Sequence, residues 1–473
     1  MAQERKIYLP VLLLVFLIGF FYYPGGLFTF SVFSLFFLAL MFSCRRCNSY
    51  GYMFFCGMLL LGYWGKLVFH LFVKHPFADP IGYFDSTPSS WDTVLNVSTV
   101  GICGVLLAWL VFPKKIFNSH AKDAGYSAIV PSWYVKRRLA LWIFMLIGCV
   151  VLAVLNYIYG IQQSGLVPRT ILPWPLNAVI YWLLGSGFSL FMCTMLWWDI
   201  VSGKNIFIPL TFLMLEGLLS SVSLLSRGIY IFHLVPIVFV LTYRQQVIRS
   251  LSILLRGVLV IELVALLGLS FSASNLLRAQ EYSDMNISAF PAGGSHGQWI
   301  DATGFAKIFS FSVDRWVGLE GVMSTSAYPK KSVGLFDRAL LERHTGGNLS
   351  IYQKLCLSRY EEADITKYRF ASLPGAIAFL FFSGSLIFVF LGMMVLTFFI
   401  LASEALILHV IKNQVVCSVW GMTAANLVAQ MGVEPRGLLV YLLEMLLGLL
   451  AVYFVQNSFF VPWIFARFGG KNI

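Results

Sequence analysis

The chain has 473 residues, of which 59% are hydrophobic and 11% are charged, and its mean hydropathy is +0.81. So little polar surface excludes a water-soluble globular protein, and we expect a polytopic protein embedded in a lipid bilayer. The net charge of +12 does not indicate a nucleic-acid partner, because in a membrane protein the location of basic residues matters more than their sum.

Twelve apolar segments are candidate membrane-spanning helices, since a helix needs about 20 residues to cross the hydrocarbon core. The first follows Arg5 and Lys6 but has no small-residue cleavage site, so we interpret it as a retained span and not as a signal peptide. The sequence thus predicts an all-α polytopic membrane protein with about 12 transmembrane helices. The predicted spans are residues 8–22, 27–43, 52–73, 95–112, 139–159, 176–201, 206–226, 228–243, 251–273, 383–411, 415–432 and 437–456.

Basic residues indicate the orientation of these spans. If the N-terminus is cytoplasmic, sixteen Lys and Arg lie in the inner connections, and only four lie in the short outer ones: Lys74, Arg169, Arg227 and Arg436. This asymmetry follows the positive-inside rule, so both termini are expected in the cytoplasm. The chain then divides into nine spans (1–273), a large outer loop element between helices 9 and 10 (274–373), and a re-entrant segment with the last three spans (374–473).

Span three carries the first polar residues within an apolar segment. Tyr63, Lys66 and His70 follow one another at i, i+3 and i+7, which places them on one helical face. Lys66 is too deep to reach water easily, so it either neutralises Glu216 of span seven or lines a ligand cavity. His70 is a candidate acid or base, or a hydrogen-bonded structural group. In the next outer loop, Asp85 is either a general base or a turn residue.

Two short outer connections each carry an arginine. Arg169 lies among three prolines, which stiffen the backbone, so its loop is either a mount for a cation or a rigid connection whose arginine faces lipid headgroups. In SSVSLLSRGIYIFHLVP, residues 220–236, Arg227 lies in a predicted tight turn from which it can reach a polar ligand. Glu216, Ser220, Ser223 and Arg227 recur at helical spacing, and their stripe is expected to face a cavity or another helix.

The large outer loop contains an amphipathic stretch at residues 305–323, which either lies along the membrane surface or plugs a cavity mouth. Within it, Arg315 and Glu320 flank Trp316, whose ring suits the apolar face of a sugar or an interfacial site. Residues 370–390 are apolar but interrupted by proline and glycine. This pattern predicts a re-entrant hairpin or a partial helix.

Several chemistries are not indicated. The sequence has no nucleotide-binding, HExxH or EF-hand motif. Cys44 and Cys47 form a lone CxxC, and no second pair completes a zinc site. We therefore expect no metal and no cofactor.

The segments ILPWPLNAVIYWLL, LLSRGIYIFHLVP and LPGAIAFLFFSGSLIFVFLGM, together with twelve spans and a large late outer loop, resemble the Wzy-type O-antigen or exopolysaccharide repeat-unit polymerases of Gram-negative bacteria. The resemblance implies a GT-C-like fold in the bacterial inner membrane. It also implies a metal-independent glycosyltransferase with a periplasmic active site, with undecaprenyl-diphosphate-linked glycans as donor and acceptor. A chain-length regulator protein is a candidate partner.

The resemblance also implies roles for individual residues. Arg227 and Arg169 would stabilise the departing diphosphate, and Arg315 would assist from the long loop. Glu320 would orient Arg315 or take the proton of the acceptor hydroxyl, with Asp85 and His70 as reserve bases. The residues expected to contact substrate are Arg169, Lys66, Glu216, Tyr230 and Trp316. An O-antigen ligase, or a transporter or flippase of a lipid-linked glycan, remains an alternative, since these proteins handle the same kind of substrate.

Overall fold

The computed structural model describes most of the chain, and its described part is helical. The one β-type pairing among these residues is an isolated antiparallel bridge between Leu166 and Tyr368. The described residues are 2–74, 77, 79–113, 116–117, 130–243, 245–281, 313–314, 316–343, 349–358, 364, 366–368, 372–432 and 435–457.

The helices fall into two sets along the chain. The first set is α1 (Ala2–Tyr22), α2 (Leu27–Arg46), α3 (Tyr50–Val73), α4 (Pro88–Val111), α5 (Ser132–Tyr159), α6 (Leu176–Val201), α7 (Phe207–Ser223), α8 (Ile229–Tyr243), α9 (Gln245–Arg249) and α10 (Ile253–Glu281). The second set is α11 (Leu319–Ala327), α12 (Val333–Leu340), α13 (Ile351–Leu355), α14 (Ala376–Phe381), α15 (Leu386–Ile411), α16 (Gln414–Ala429) and α17 (Pro435–Asn457).

Each of the twelve predicted spans overlaps one of these helices. Within the described ranges, eight helices are long and apolar enough to cross a membrane, and four shorter apolar helices lie at Leu12–Tyr22, Phe207–Ser223, Ile229–Thr242 and Gln414–Ala429. The chain is therefore a multi-pass helical membrane protein. The number of helices that cross the bilayer and a GT-C-like fold stay predictions.

Helix α10 is longer than the sequence pattern predicted. The apolar pattern ends near residue 273, but the helix continues for two more turns to Glu281. Ser270 and Ser274 are both buried on this helix, because this side of α10 packs against α7. The added turns carry Asn275, Arg278 and Glu281 at i, i+3 and i+6, which spans about 9 Å along the helix axis.

Small residues allow the central helices to approach closely. A Cβ on Gly104 of α4 would lie 2.3 Å from the carbonyl oxygen of Phe390 in α15. A Cβ on Gly421 of α16 would lie 2.6 Å from the backbone nitrogen of Gly51 in α3. Backbone contacts of this kind are typical of helix packing in membranes, where dispersion replaces the hydrophobic effect between helices.

The described part of the predicted amphipathic stretch enters the bundle. All residues from Leu319 to Thr325 in α11 are buried, so this part of the stretch does not lie along the membrane surface, and its role as a plug stays a prediction. Gly321 lies against the backbone of Pro374, and Gly318 lies against the backbone of Gly62 in α3. Residues 305–312 and 315 of the stretch lie outside the described residues. The interrupted segment 370–390 contains the short buried helix α14 and a turn into α15.

Candidate functional site

Arg227 lies in the five-residue turn between α7 and α8. Its Nη1 donates a hydrogen bond to Asn275 Oδ1 at 2.6 Å, and its guanidinium carbon is 5.8 Å from the centroid of the Phe271 ring. Its Nε is buried and has no acceptor among the described residues. No carboxylate in the described part of the chain forms an ion pair with Arg227. The turn therefore holds a half-buried cation against a neutral amide and an aromatic ring.

The turn that carries Arg227 is attached to α10 by several hydrogen bonds. Ser221 Oγ donates to the carbonyl of Ser226 at 2.7 Å and accepts from Ser270 Oγ at 2.7 Å. Arg278 Nε donates to the carbonyl of Leu225 at 2.7 Å. The backbone of the turn is thus bonded directly to Arg278 of α10 and, through Ser221 of α7, indirectly to Ser270 of α10.

Arg169 lies in the proline-rich loop between α5 and α6. Its backbone N–H donates to the Gly160 carbonyl at 2.8 Å, and its side chain, which is 54% exposed, pairs with Glu281 at the end of α10. Gly160 has φ of 57°, and a Cβ there would lie 2.9 Å from Arg169 Cδ. The arginine stem therefore lies across a position where only glycine leaves room for it.

Three arginines consequently gather at one end of the bundle, and we call Arg169, Arg227 and Arg278 the basic cluster. Each is held by the last two turns of α10: Arg227 by Asn275, Arg169 by Glu281, and Arg278 as a residue of that helix. Arg169 and Arg227, the two arginines predicted in outer connections, thus both contact the C-terminal end of α10.

A second group of polar residues joins α3 to α11. Lys66 Nζ lies 2.8 and 2.9 Å from the two carboxylate oxygens of Glu320, and His70 Nε2 lies 2.7 Å from Asp314 Oδ1. A widened π-helical turn of α3, Leu60–Gly65, immediately precedes Lys66. The expectation that Lys66 neutralises Glu216 is wrong, because its carboxylate partner is Glu320. No spacing rule relates residues so far apart in the chain.

Glu216 pairs instead with His233 of α8, whose Nδ1 lies 3.0 Å from the carboxylate. His233 Nε2 lies 2.8 Å from the carbonyl oxygen of Gly185, in the π-helical turn of α6. Because a carbonyl oxygen only accepts, His233 Nε2 must carry a proton. A second proton lies between His233 Nδ1 and the Glu216 carboxylate. Ser220 also donates to Glu216, at 3.0 Å. The predicted stripe thus faces other helices, and Arg227 lies beyond the end of α7.

Tyr230 of α8 is buried, and its hydroxyl donates to the Leu263 carbonyl of α10 at 3.3 Å. Trp316 is partly buried against the core, directly before the segment that meets α3. Arg315 lies outside the described residues.

Asp85 is an exposed turn residue. Its Oδ1 accepts hydrogen bonds from both the backbone N–H and the hydroxyl of Thr87, at 3.1 and 3.0 Å. Hydrogen bonds from Ser90 and from the Thr87 backbone hold the pKa of Asp85 below its usual value. A carboxylate stabilised in its ionised form is a weaker base, so the geometry favours the turn alternative.

The sequence interpretation missed five partners of the predicted residues: His233, Asn275, Arg278, Glu281 and Asp314. One pattern was available, because Ser270, Ser274 and Arg278 recur every four residues and continue the helix past its apolar part. Nothing in the local pattern identified His233 or Asp314, since each meets its partner only across the fold.

Within the described ranges, no group of three or more His, Cys, Asp or Glu side chains has an arrangement that would hold a metal ion.

No protein-family model, curated protein or solved structure matches the chain.

Proposed function

We propose that this chain is a membrane glycosyltransferase that polymerises undecaprenyl-diphosphate-linked repeat units of O-antigen or exopolysaccharide at the periplasmic face of the bacterial inner membrane. The observation that carries the proposal is Arg227, a half-buried cation without a described carboxylate partner, beside Arg169 and Arg278 at one end of the bundle. A guanidinium grips phosphate oxygens with paired hydrogen bonds and keeps its charge at any physiological pH. The glycan specificity comes from the sequence resemblance.

In the proposed reaction, a sugar hydroxyl of one lipid-linked unit attacks the anomeric carbon of a chain carried on lipid diphosphate. A new glycosidic C–O bond forms, the C–O bond to the diphosphate breaks, and undecaprenyl diphosphate leaves with the electron pair. Arg227 stabilises the charge that develops on the leaving group, where fixed cations are most effective. Arg169 assists by exchanging Glu281 for a phosphate oxygen, since more than half of its side chain is exposed.

The proton of the attacking hydroxyl passes to a base, and we assign His70 to this role among the predicted bases. Asp314 accepts from His70 Nε2 and so orients the ring. Glu320 has both carboxylate oxygens bonded to Lys66, so its role is to hold α11 against α3.

Reconstituted protein supplied with purified lipid-linked repeat units tests the proposal, with product length resolved on a gel. Arg227→Ala should lower elongation by about 100-fold or more, as expected for loss of a group that stabilises the leaving charge. Arg436→Ala is the matched control, because Arg436 is an exposed arginine at the start of α17. Wild-type chain lengths from Arg227→Ala would remove this residue from the mechanism and sink the proposal.

The same preparation separates the proposal from an O-antigen ligase, which requires a lipid A acceptor. Elongation without lipid A supports a polymerase. Transfer only after lipid A is added supports a ligase.

A transporter of a lipid-linked glycan is the second candidate, and the Glu216–His233 pair favours it. The pair is buried among three apolar helices, and ionisable residues at such positions often belong to proton relays. Movement of unmodified substrate across proteoliposomes, without new glycosidic bonds, would support this alternative. Its dependence on Glu216 would be tested with Glu216→Gln.

A further inference from the structure

We infer that Arg278 is a positioning residue that clamps together the two loops carrying Arg169 and Arg227. Its Nε donates to the carbonyl of Leu225 at 2.7 Å, in the Arg227 turn, and its Nη2 donates to the carbonyl of Ser164 at 3.5 Å, in the Arg169 loop. One guanidinium therefore bonds both loops from the end of α10. The role of the two clamped arginines in binding a diphosphate rests on the proposed function.

The two loops also contact each other at the clamp. The backbone N–H of Ser164 donates to the carbonyl of Leu224 at 2.8 Å, one residue before the carbonyl that Arg278 holds. Charged donors make stronger hydrogen bonds than neutral ones, and the planar guanidinium presents several N–H groups at fixed angles. A lysine ammonium on a flexible stem lacks this geometry, so charge alone does not replace Arg278.

The turn needs such a clamp because its backbone is strained. Leu225 has φ of 50°, a left-handed conformation that is unfavourable for a residue with a Cβ. Such a residue keeps its conformation only when its surroundings hold it there. Leu225 is fully buried, and its carbonyl is the one that Arg278 bonds. Without this bond the turn relaxes, and Arg227, two residues later, loses its fixed direction.

Arg278 thus acts through the arginines of the two loops it holds, Arg227 and Arg169, and is not a phosphate ligand in its own right. Its Nε and Nη2 are already directed at backbone carbonyls. Arg227, in contrast, has a buried Nε for which the described part of the chain supplies no acceptor. Loss of Arg278 should therefore matter less once Arg227 is absent, because only the Arg169 loop is then left for it to position.

A double-mutant cycle on diphosphate binding tests this dependence. Purified full-length protein in detergent is titrated with farnesyl diphosphate, comparing wild type, Arg227→Gln, Arg278→Gln and the double variant. We expect Arg278→Gln to raise Kd about tenfold in the wild-type background and by clearly less in the Arg227→Gln background, where only the Arg169 loop is left to position. If the two single changes in Kd multiply in the double variant, Arg278 is an independent ligand. If Kd is unchanged in folded Arg278→Gln, Arg278 has only a structural role. Either result overturns the inference.

Hydrogen exchange tests the clamp without any ligand. In Arg278→Gln, backbone amides at 160–169 and 224–228 should both exchange faster, while Arg436→Gln, which removes an exposed arginine, should leave both loops unchanged. Arg278→Lys should resemble Arg278→Gln. Wild-type exchange in the two loops of Arg278→Gln would overturn the inference. If wild-type protein fails to bind farnesyl diphosphate, the proposed function loses its support, and the exchange result still decides the clamp.

Discussion

Lys66 and Glu320 form an ion pair inside the bundle, with Nζ 2.8 Å from a carboxylate oxygen although the two residues are 254 positions apart. At most 3% of either side chain is exposed. The pair fastens α11, from the segment between α10 and α15, to α3. Desolvation offsets most of the attraction between two such charges, so the pair specifies where α11 docks more than it stabilises the fold.

Breaking this pair from one side should be more harmful than removing it. Lys66→Met leaves the Glu320 carboxylate buried and unpaired, and Glu320→Leu leaves the ammonium in the same state. Each should lower the free energy of unfolding by about 3–5 kcal/mol. The double variant should lose much less than the sum. Denaturant unfolding in detergent measures this cycle, and simple additivity of the two losses would contradict a direct pair.

The docking of α11 also depends on Gly321. A Cβ there would lie 1.8 Å from the carbonyl oxygen of Pro374, so Gly321→Ala should displace the helix and lower the thermal unfolding temperature. Gly257→Ala in α10 is the matched control, because nothing lies within 4 Å of a Cβ there. Alanine in an open helix position is favoured over glycine by about 1 kcal/mol. A neutral or stabilising Gly321→Ala would show that α11 does not pack this closely.

Asp199 of α6 is held by three side chains of α5. Its Oδ1 accepts from Tyr134 at 2.9 Å and Arg138 at 2.6 Å, and its Oδ2 accepts from Trp142 at 3.2 Å. Asp199→Asn removes the negative charge, and its amide NH2, which can only donate, then faces side chains that also donate. It should therefore cost about 1–3 kcal/mol in unfolding free energy. Asp337→Asn, at an exposed position of α12, should cost nothing measurable, and equal effects of the two would refute the network.

Cys356 should be inert in the folded protein. Burial raises the pKa of its thiol to about 12, so the reactive thiolate is scarce at neutral pH. A maleimide should label it only after denaturation, as read by mass spectrometry of the peptide. Because the folded pKa is raised, the stability gained by keeping the thiol neutral is complete below pH 9 and is lost as pH rises toward about 12. Labelling of folded protein at neutral pH would contradict this burial.

The apolar segments were predictable because a helix that crosses the bilayer satisfies its backbone hydrogen bonds within itself. Each such helix therefore corresponds to a continuous segment of about 20 mostly apolar residues in the sequence. The turn at Arg227 was also predictable, since the run of apolar residues is interrupted there by SRG. The extension of α10 to Glu281 was missed because its signal is polar: Ser270, Ser274 and Arg278 recur every four residues, and a search for apolar periodicity does not detect them.

The partners of the buried charges required the folded chain. The sequence left two alternatives for Lys66, a pair with Glu216 or a place in a cavity lining, yet Glu216 pairs with His233, and Lys66 pairs with Glu320. Ion pairing depends on distance in space, and any of several buried groups of opposite charge satisfies the same chemical need. The local sequence pattern thus established that the chain is a helical membrane protein, and it located the charged residues within the apolar segments. Which residues meet was decided by helix packing, because close backbone contacts such as Gly321 against Pro374 set the register that brings distant side chains together.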